Sequence, residues 1–333
     1  MNFKNADFPN LVPDAVLDAV ERATGRRCSG VIRPLPSYIN RVYSAGMEDG
    51  DFLVAKFYRP GRWTRAAILE EHAFVRDCAA EDIPVIAPLP LAEGGTVGDA
   101  GGIAFAVFPQ RGGRPVEPAD PGNALWGRLG ALLARIHRVG ESAAAPSRVT
   151  MHPLASAKAD IEYLLDHDFL EEREAARLEA FGENLLDQAV PLFDGAEMIR
   201  LHGDCQHTNV LERPDTGLFL IDFDDMMNGP PIHDLWMLLP GRADTARREL
   251  EQLIEGYEMF RAFDRRTLRL IEPLRAMRMT YYLAWCARQS RDAAFLQHNP
   301  GWGSRAFWAR ELAELEAQLA VIRNASDQKA SCV

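Results

Sequence analysis

The segment RLHGDCQHTNVL, residues 200–211, carries two sets of side chains that could do chemistry. Two histidines and a cysteine lie close enough together to suggest a metal site: His202, Cys205 and His207. A structural zinc site needs four ligands, usually as two spaced pairs, and no second Cys/His cluster follows within easy reach. A catalytic zinc with three ligands stays open, but a small buried Cys205 and a hydrogen-bonded His202 are the simpler interpretation.

Asp204 and Asn209 form the alternative set in the same segment, spaced as D-x-x-x-x-N. After the turn ERPDTG comes the apolar run LFLIDFDD, which brings Asp222 to the end of a predicted strand. A hairpin would hold Asn209 and Asp222 side by side, and their oxygen atoms are hard ligands suited to Mg²⁺. Asp204 would then remain free to accept a proton from an incoming hydroxyl group.

Lys56 supplies a cation of the kind that phosphoryl transfer requires over nucleotide phosphates. It lies in the strand-like run DFLVAKFYRP, where a lysine among apolar residues is more often simply solvent-facing. The next helix-like run contains ILEEH, and a carboxylate there could pair with Lys56, as in the V-A-x-K strand and Glu-bearing helix of protein kinases. Alone this pair is weak evidence. Together with HGD-x-x-x-x-N and DFD in this order, it indicates phosphoryl transfer.

Composition and charge exclude several classes of function. The chain has 333 residues, 47% of them hydrophobic, enough for one large domain or two smaller ones. Its net charge of −11 argues against broad binding to nucleic acid or to an anionic membrane, because both need a basic surface. No apolar run has the length of a membrane span, and the N-terminus lacks the apolar core of a secretory signal. Five widely spread cysteines fit a reducing cytoplasm rather than a disulfide framework.

The elements around these motifs predict an α+β, protein-kinase-like fold of two lobes. A small β-rich N-terminal lobe is indicated by the strand-like runs RVYSAG, DFLVAKFYRP, PVIAPLPLAEGGT and GGIAFAVFPQ, with one helix that has Thr64 as its N-cap. Glycine, proline and polar residues dominate residues 108–123, so we divide the chain into 1–108 and 109–333. Helical patterns prevail in the second lobe, where residues 156–190 read as one long or two shorter helices.

Longer motifs resemble those of a known family. RLHGDCQHTNVL and IDFDDMMNGPPIHDLWMLLPG look like the aminoglycoside phosphotransferase-like branch of the protein-kinase-like fold. More narrowly, five further segments resemble the bacterial stress response kinase A group: SYINRVYS, VAKFYRPGRWT, ILEEHAF, FAVFPQRGGR and IEPLRAMRMTYYLAWCAR. The resemblance spans about residues 8–325. The resemblance implies a cytoplasmic serine/threonine protein kinase associated with envelope and oxidative stress, with ATP and Mg²⁺ as cofactors.

The same resemblance implies roles for the residues above. Asp204 would be the catalytic base, and Asn209 and Asp222 the Mg²⁺ ligands, with Asp222 also counted as catalytic. Lys56 would contact the α- and β-phosphates of ATP. Glu71 would be its partner, chosen over the preceding glutamate because its position fits the family's helix better.

Ser37 and Asn40 lie in LPSYINRVYS, where the family's nucleotide-covering loop approaches ATP. The segment has no glycine, unlike the G-x-G-x-x-G loop of ordinary protein kinases. Either it is an ordinary turn, or its side chains and amides replace the glycine-loop amides over the phosphates. Ser37 is also a candidate for phosphorylation. The residues from Phe108 to Gln110 are expected to form the hinge that meets adenine through its backbone.

Two other polar residues are expected to have structural roles. Asp234 in PIHDLW begins a helix and would brace the backbone of residues 200–211, the predicted catalytic segment. His137 in LARIHRVG is expected to be a hydrogen-bonded histidine of the core.

The interval between Asp222 and Asp234 bears on the substrate. Only eleven residues lie there, where ordinary protein kinases place a long activation segment, so activation-loop phosphorylation is not expected to gate the site. A small hydroxylated amine could sit against Asp224 and Asp225, although a solvated acidic pair is their plainer interpretation. The resemblance puts a protein Ser/Thr substrate first, a small-molecule acceptor second and a non-catalytic nucleotide-binding scaffold third. A monomer without nucleic-acid or membrane partners is expected.

Overall fold

The computed structural model describes Phe8 and residues 11–117, 125–215, 217–290 and 293–330. An antiparallel sheet forms the N-terminal part from β1 (Cys28–Leu35), β2 (Arg41–Met47), β3 (Phe52–Phe57), β4 (Gly98–Ala100) and β5 (Ile103–Pro109). Its strand order is β1-β2-β3-β5-β4. The helices α1 (Pro13–Thr24) and α2 (Arg65–Ala80) each contribute to an apolar cluster with it. The predicted β-rich N-terminal part is confirmed.

The helix α2 begins where its sequence predicts. The hydroxyl of Thr64 accepts a hydrogen bond from the backbone N–H of Ala67 at 3.1 Å, which satisfies one of the free donors of the first turn. This cap fixes the start of the helix, and therefore the side on which Glu71 lies.

The strand expected over PVIAPLPLAEGGT is wrong. Residues 84–96 form no strand, apart from an isolated bridge between Val85 and Leu220. The reason is the three prolines at positions 84, 88 and 90, which have no N–H to donate to a sheet. The apolar side chains of this segment pack as a loop instead.

Helices dominate the C-terminal part, as expected. They are α3 (Leu125–Gly140), α4 (Lys158–Leu165), α5 (Glu172–Phe193), α6 (Ile232–Trp236), α7 (Arg247–Glu258), α8 (Ile271–Gln289), α9 (Ala293–His298) and α10 (Arg305–Ala330). Residues 156–190 form two helices rather than one, since a non-helical segment separates α4 from α5. The helices α3 and α7 cross closely at Gly130 and Gly256, where an added Cβ would collide with the backbone of the opposite helix.

Short strands position the catalytic segment within this helical part. They are β6 (Arg114–Pro115), β7 (Ile199–Leu201), β8 (Val210–Arg213), β9 (Gly217–Leu220) and β10 (Met227–Gly229). β8 and β9 form a hairpin, and β7 pairs with β10, so the segments on either side of this hairpin are held next to each other. In the described part of the chain, no helix is both long and apolar enough to cross a bilayer.

Candidate active site

Asp234 holds the backbone of the catalytic segment. Its buried carboxylate accepts hydrogen bonds from the backbone N–H groups of His202 at 2.8 Å and Gly203 at 2.9 Å. The Nε2 of His137 lies 3.1 Å from the same carboxylate, which makes His137 the hydrogen-bonded core histidine that was expected. Burial alone would raise the pKa of Asp234, but the hydrogen bond from His137 and the charges of the nearby histidines outweigh it and lower the pKa to about 2.

Asp204, the predicted base, follows directly. Its Oδ2 accepts hydrogen bonds from Gln206 at 3.0 Å and from the Nδ2 of Asn209 at 3.2 Å. Its Oδ1 accepts one from Nη2 of Arg278, a residue of α8, at 2.5 Å. Gly203 precedes it with φ of +84°, and an added Cβ there would collide with the backbone of a neighbouring segment. The carboxylate is therefore oriented from three sides.

Asn209 and Asp222 are brought together by the β8–β9 hairpin. The backbone N–H of Ile221 donates to the carbonyl of Asn209 at 2.9 Å, directly beyond the paired strand ends. Asp222 has φ of +61° and ψ of +68°, a left-handed conformation that costs free energy in a non-glycine residue. Its side chain is 55% exposed. Because Nδ2 of Asn209 bonds to Asp204, its Oδ1 is left as an acceptor. An amide oxygen and an exposed carboxylate are ligand types that suit a divalent cation.

The zinc interpretation of the same segment finds no support in the structure. The Nε2 of His202 bonds to the carbonyl of Ile221 at 2.9 Å, and the His207 ring lies edge-on to Trp126 at 6.0 Å. Cys205 is buried, and burial raises the pKa of its thiol well above the usual value. Within the described ranges, no three His, Cys, Asp or Glu side chains converge into a metal site. The expected burial of Cys205 and the expected hydrogen bonding of His202 are confirmed.

Lys56 is buried and lies at the centre of an acidic cluster, in which Glu71 and Asp224 are buried and Asp222 is exposed. Its Nζ is 3.0 Å from Asp222, 3.1 Å from Asp224 and 3.9 Å from Glu71. Burial raises the pKa of Glu71 to about 7, although the charge of Lys56 opposes this shift. Glu70 points elsewhere, since its carboxylate accepts the backbone N–H of Ser147 at 2.9 Å. The structure thus places Glu71, and not Glu70, beside Lys56.

Asp224 and Asp225 are not the solvated pair that was the plainer expectation. Asp224 is buried against Lys56, and Nε of Arg62 lies 3.3 Å from its other oxygen. Asp225 bonds to Nη2 of Arg62 at 2.6 Å. Burial would raise the pKa of Asp224, but Lys56 and Arg62 lower it to about 2. Arg148 donates to the backbone carbonyls of Asp224 and Met226, which fixes the turn that carries both acids.

Of the two residues predicted for the nucleotide-covering loop, Ser37 and Asn40, only Ser37 is exposed. Ser37 is exposed and lines a cavity of about 330 Å³ together with Asp204 and Asp222. Asn40 lines the same cavity but is buried, and its Oδ1 accepts the backbone N–H of Arg59 at 3.1 Å. The side-chain oxygen of Asn40 therefore fixes the chain that follows β3.

The predicted hinge lies at the end of β5. The backbone N–H of Gln110 donates to the carbonyl of Phe52 at 3.1 Å, and its side chain accepts from the hydroxyl of Ser44 at 2.6 Å. The ring of Phe108 lies edge-on to His72, with 6.1 Å between ring centroids. That N–H of Gln110 is thus already used within the sheet. Adenine binding by this segment stays a prediction.

Sequence reasoning missed the arginines of this site. Arg62, Arg148 and Arg278 contact acids or carbonyls that lie between 74 and 163 residues away in the chain. No local spacing marks such pairs. The available signal in the sequence was the acidic run IDFDD, which needs cations such as these arginines if the fold buries it.

The matching family model is that of the phosphotransferase enzyme family, and it covers residues 31–271. The chain belongs to this family. It is also 39% identical to stress response kinase A of Escherichia coli O157:H7 over 331 residues, 97% of both chains. The serine/threonine protein kinase RdoA of Salmonella typhimurium is 36% identical over 312 residues, 93% of both. The resemblance to the stress response kinase A family is thereby confirmed, and the protein is a kinase-type phosphotransferase.

Solved structures agree with this family at the level of the fold. The amicoumacin kinase hAmiN, in complex with AMP-PNP, Ca²⁺ and amicoumacin, superimposes with a TM-score of 0.70 at 19% identity, over 94% of this chain and 95% of that one. A microcompartment-associated aminopropanol kinase gives a TM-score of 0.67 at 17% identity, over 94% and 97%. The expected protein-kinase-like class of fold is confirmed.

Proposed function

We propose that this family member is an ATP- and Mg²⁺-dependent serine/threonine protein kinase of the bacterial stress response. The observation that carries the proposal is the meeting of the buried Lys56 and Glu71 with the exposed Asp222 in one charged cluster. Asp222 and Asp204 line one cavity. These side chains come from β3, α2, the end of the β8–β9 hairpin and the catalytic segment. A lysine for phosphates, a carboxylate for a metal and a carboxylate for a hydroxyl group are the parts that phosphoryl transfer needs.

In this proposal each residue has a separate task. Lys56 binds the α- and β-phosphates, and Glu71 keeps its ammonium group in place. Asn209 and Asp222 hold Mg²⁺, which supplies positive charge to the phosphate oxygens when bound. Asp204 orients the acceptor hydroxyl and takes its proton, while Asp234 prevents the catalytic segment from moving. Ser37 covers the phosphates from the opposite side of the cavity.

Two lines of support favour a protein substrate over a hydroxylated amine. The relative at 36% identity over 93% of this chain is named a serine/threonine protein kinase. In addition, Asp224 and Asp225 are already neutralised by Lys56 and Arg62, so they do not offer free charge to an amine. A small-molecule acceptor remains the second candidate, because a cavity of about 720 Å³ beside the site has the size of a small-ligand pocket.

We further propose that the protein acts in the cytoplasm. ATP is a cytoplasmic substrate, and the four cysteines in the described residues are free thiols, as a reducing compartment requires. Cys332 lies outside the described residues. A scaffold without activity is disfavoured, since Lys56, Asp204 and Asp222 are all in place.

The test is transfer of label from γ-labelled ATP in the presence of Mg²⁺. Purified protein is incubated with generic proteins, aminoglycosides and choline in parallel. Label on protein Ser or Thr supports the proposal, and label on an added small molecule supports the second candidate. ATP binding without any transfer, in wild-type protein and at saturating Mg²⁺, would instead favour the scaffold.

A further inference from the structure

A second cavity of about 720 Å³ opens beside the catalytic one. It lies between the chain that follows β3, the segment around α4, and α8. The two cavities share five lining residues: Arg62, Asp225, Arg278, Tyr281 and Trp285. Apolar and aromatic side chains cover much of the remaining wall, including Trp63, Met151 and Met277. A molecule held here would reach Asp204 through the shared neck, so this cavity has the place and size of an acceptor site.

Arginines outnumber aspartates in the lining of this cavity. Among the described residues that line it there are four arginines and two aspartates: Arg59, Arg62, Arg278, Arg288, Asp160 and Asp225. Both aspartates are already bound to arginine, Asp225 to Arg62 at 2.6 Å and Asp160 to Arg288 at 2.8 Å. In this described lining, no carboxylate is left to compensate a cationic ligand, and a cation held here would lose hydration without a partner.

Arg278 lies in the neck between base and cavity. Its Nη2 holds Oδ1 of Asp204 at 2.5 Å, and this is the one hydrogen bond of its guanidinium among the described residues. A guanidinium has five N–H donors. Arg278 can therefore bind an additional anion, and an anion placed in the cavity would compete with Asp204 for its guanidinium.

Arg288 offers a second anion-binding group on the outer wall. Its side chain is 41% exposed, whereas that of its partner Asp160 is only 10% exposed. Its Nη2 donates a hydrogen bond to Oδ1 of Asp160, and its Cζ lies 4.5 Å from the centroid of the Tyr163 ring. Arg288 is thus anchored from behind and presents N–H groups to the cavity.

We propose that this cavity binds the phosphoryl acceptor, and that the acceptor carries a carboxylate or phosphate close to its hydroxyl group. The inference rests on the proposed kinase function and adds a substrate class to it. Arg278 and Arg288 bind the anionic group, and Arg278 thereby releases Asp204. In a protein substrate, this describes a Ser or Thr flanked by acidic residues. A free hydroxy acid has the same chemistry.

The transfer step follows from this arrangement. The acceptor oxygen forms a bond to the γ-phosphorus of ATP, and the bond from that phosphorus to the bridging β,γ-oxygen breaks. ADP leaves with the electron pair of the broken bond. The proton of the acceptor hydroxyl goes to the Oδ1 of Asp204 that Arg278 has vacated.

The first experiment compares acceptors with γ-labelled ATP and Mg²⁺. Serine peptides that are identical except for Glu, Gln or Lys on both sides of the serine are the protein arm. Glycerate and choline are the small-molecule arm. We expect kcat/KM to be at least about tenfold higher for the Glu peptide than for the Gln peptide, or for glycerate than for choline. A preference for the Lys peptide or choline, or no difference in either arm while label still appears on protein, overturns the inference. No label on any molecule defeats the proposed function itself.

The second experiment uses the Arg288–Asp160 pair, whose two members should act in opposite directions. Arg288→Gln should raise KM for the preferred anionic acceptor about tenfold with kcat little changed, and Arg288→Lys should restore part of the loss. Asp160→Asn keeps the size of the side chain and removes the negative charge that offsets Arg288, so KM for the same acceptor should fall severalfold. A purely structural ion pair would raise KM in both variants. Asp160→Asn alone keeps the inference testable if Arg288→Gln does not fold, because an unchanged or higher KM contradicts it.

Discussion

Lys56 lies 3.0 Å from Asp222, so the cation proposed for phosphates and the carboxylate proposed for Mg²⁺ form an ion pair with each other. The Lys56–Glu71 distance of 3.9 Å is longer. If the proposed roles hold, ATP takes Lys56 as a partner and Mg²⁺ takes Asp222, so both ligands compete with this ion pair. Nucleotide and metal are expected to bind cooperatively. ATP would take Lys56 away from Asp222, which leaves the Asp222 carboxylate in need of a cation, and Mg²⁺ supplies that cation.

Asp222→Asn tests this linkage. Without the carboxylate, ATP affinity in the presence of Mg²⁺ should fall at least about tenfold, because a hard anionic ligand is lost. In EDTA, ATP affinity should stay the same or rise, since Lys56 has lost a competing anion. Calorimetric titration of ATP under both conditions measures the two effects. The exposed Asp168→Asn is the matched control. A variant with the wild-type response to Mg²⁺ would remove Asp222 from the metal site.

Asp204→Ala should abolish transfer while ATP still binds. Loss of the base and of hydroxyl alignment should reduce kcat by about 100-fold or more. ATP affinity should change little, since the residues proposed to bind phosphates and metal are intact. The matched control is Gln206→Ala, which removes one hydrogen bond to Asp204 and should lower kcat only modestly. Single-turnover assays measure the step directly, and normal turnover in Asp204→Ala would rule out this base.

The adjacent glutamates provide a second matched pair. Glu71→Gln should raise KM for ATP severalfold or more, because Lys56 loses its partner on α2. Glu70→Gln should leave KM for ATP unchanged and affect only the loop held at Ser147. Steady-state kinetics with varied ATP separate the two. Equal effects of both substitutions would mean that α2 matters for stability and that Glu71 has no special role toward Lys56.

The local parts of the site could be predicted from the sequence. Asp204 and Asn209 are five residues apart in the same short segment. The turn-like sequence ERPDTG between two apolar runs indicates the hairpin that joins Asn209 to Asp222. Such features depend on neighbours in sequence. The same holds for the Thr64 cap, where the hydroxyl and its N–H donor are three residues apart.

The long-range parts could not be predicted. Arg278 meets Asp204 across 74 residues, and Arg62 meets Asp225 across 163. Arginine is usually exposed, so a single arginine gives no sign that it will be buried in an ion pair. For the same reason Asp224 and Asp225 were expected to be solvated, whereas their charges are compensated by Lys56 and Arg62. The strand predicted over residues 84–96 failed on a local feature, since prolines interrupt an otherwise apolar run.

Asp234→Asn should destabilise the protein in a pH-dependent manner. The folded pKa of Asp234 is about 2, below the usual value of 3.8, so the native state favours the ionised form. A depressed carboxylate pKa contributes stability above the unfolded pKa, and this contribution is lost as pH falls from about 4 to about 2. The shift corresponds to about 2 kcal/mol of unfolding free energy at pH 7. Asparagine also turns an N–H donor toward one of the backbone N–H groups of His202 and Gly203.

Urea denaturation of both proteins between pH 7 and pH 3 measures this difference, with the exposed Asp187→Asn on α5 as the control. The gap between wild type and Asp234→Asn should be about 2 kcal/mol at pH 7 and should narrow toward pH 3, because the unfolded wild-type chain takes up a proton on this carboxylate at a higher pH than the folded protein does. A gap that is constant with pH would mean that packing, and not the ionised carboxylate, accounts for the role of Asp234. Since Asp234 holds the segment that carries Asp204, the variant should also lose kcat while folded, which separates positioning from stability.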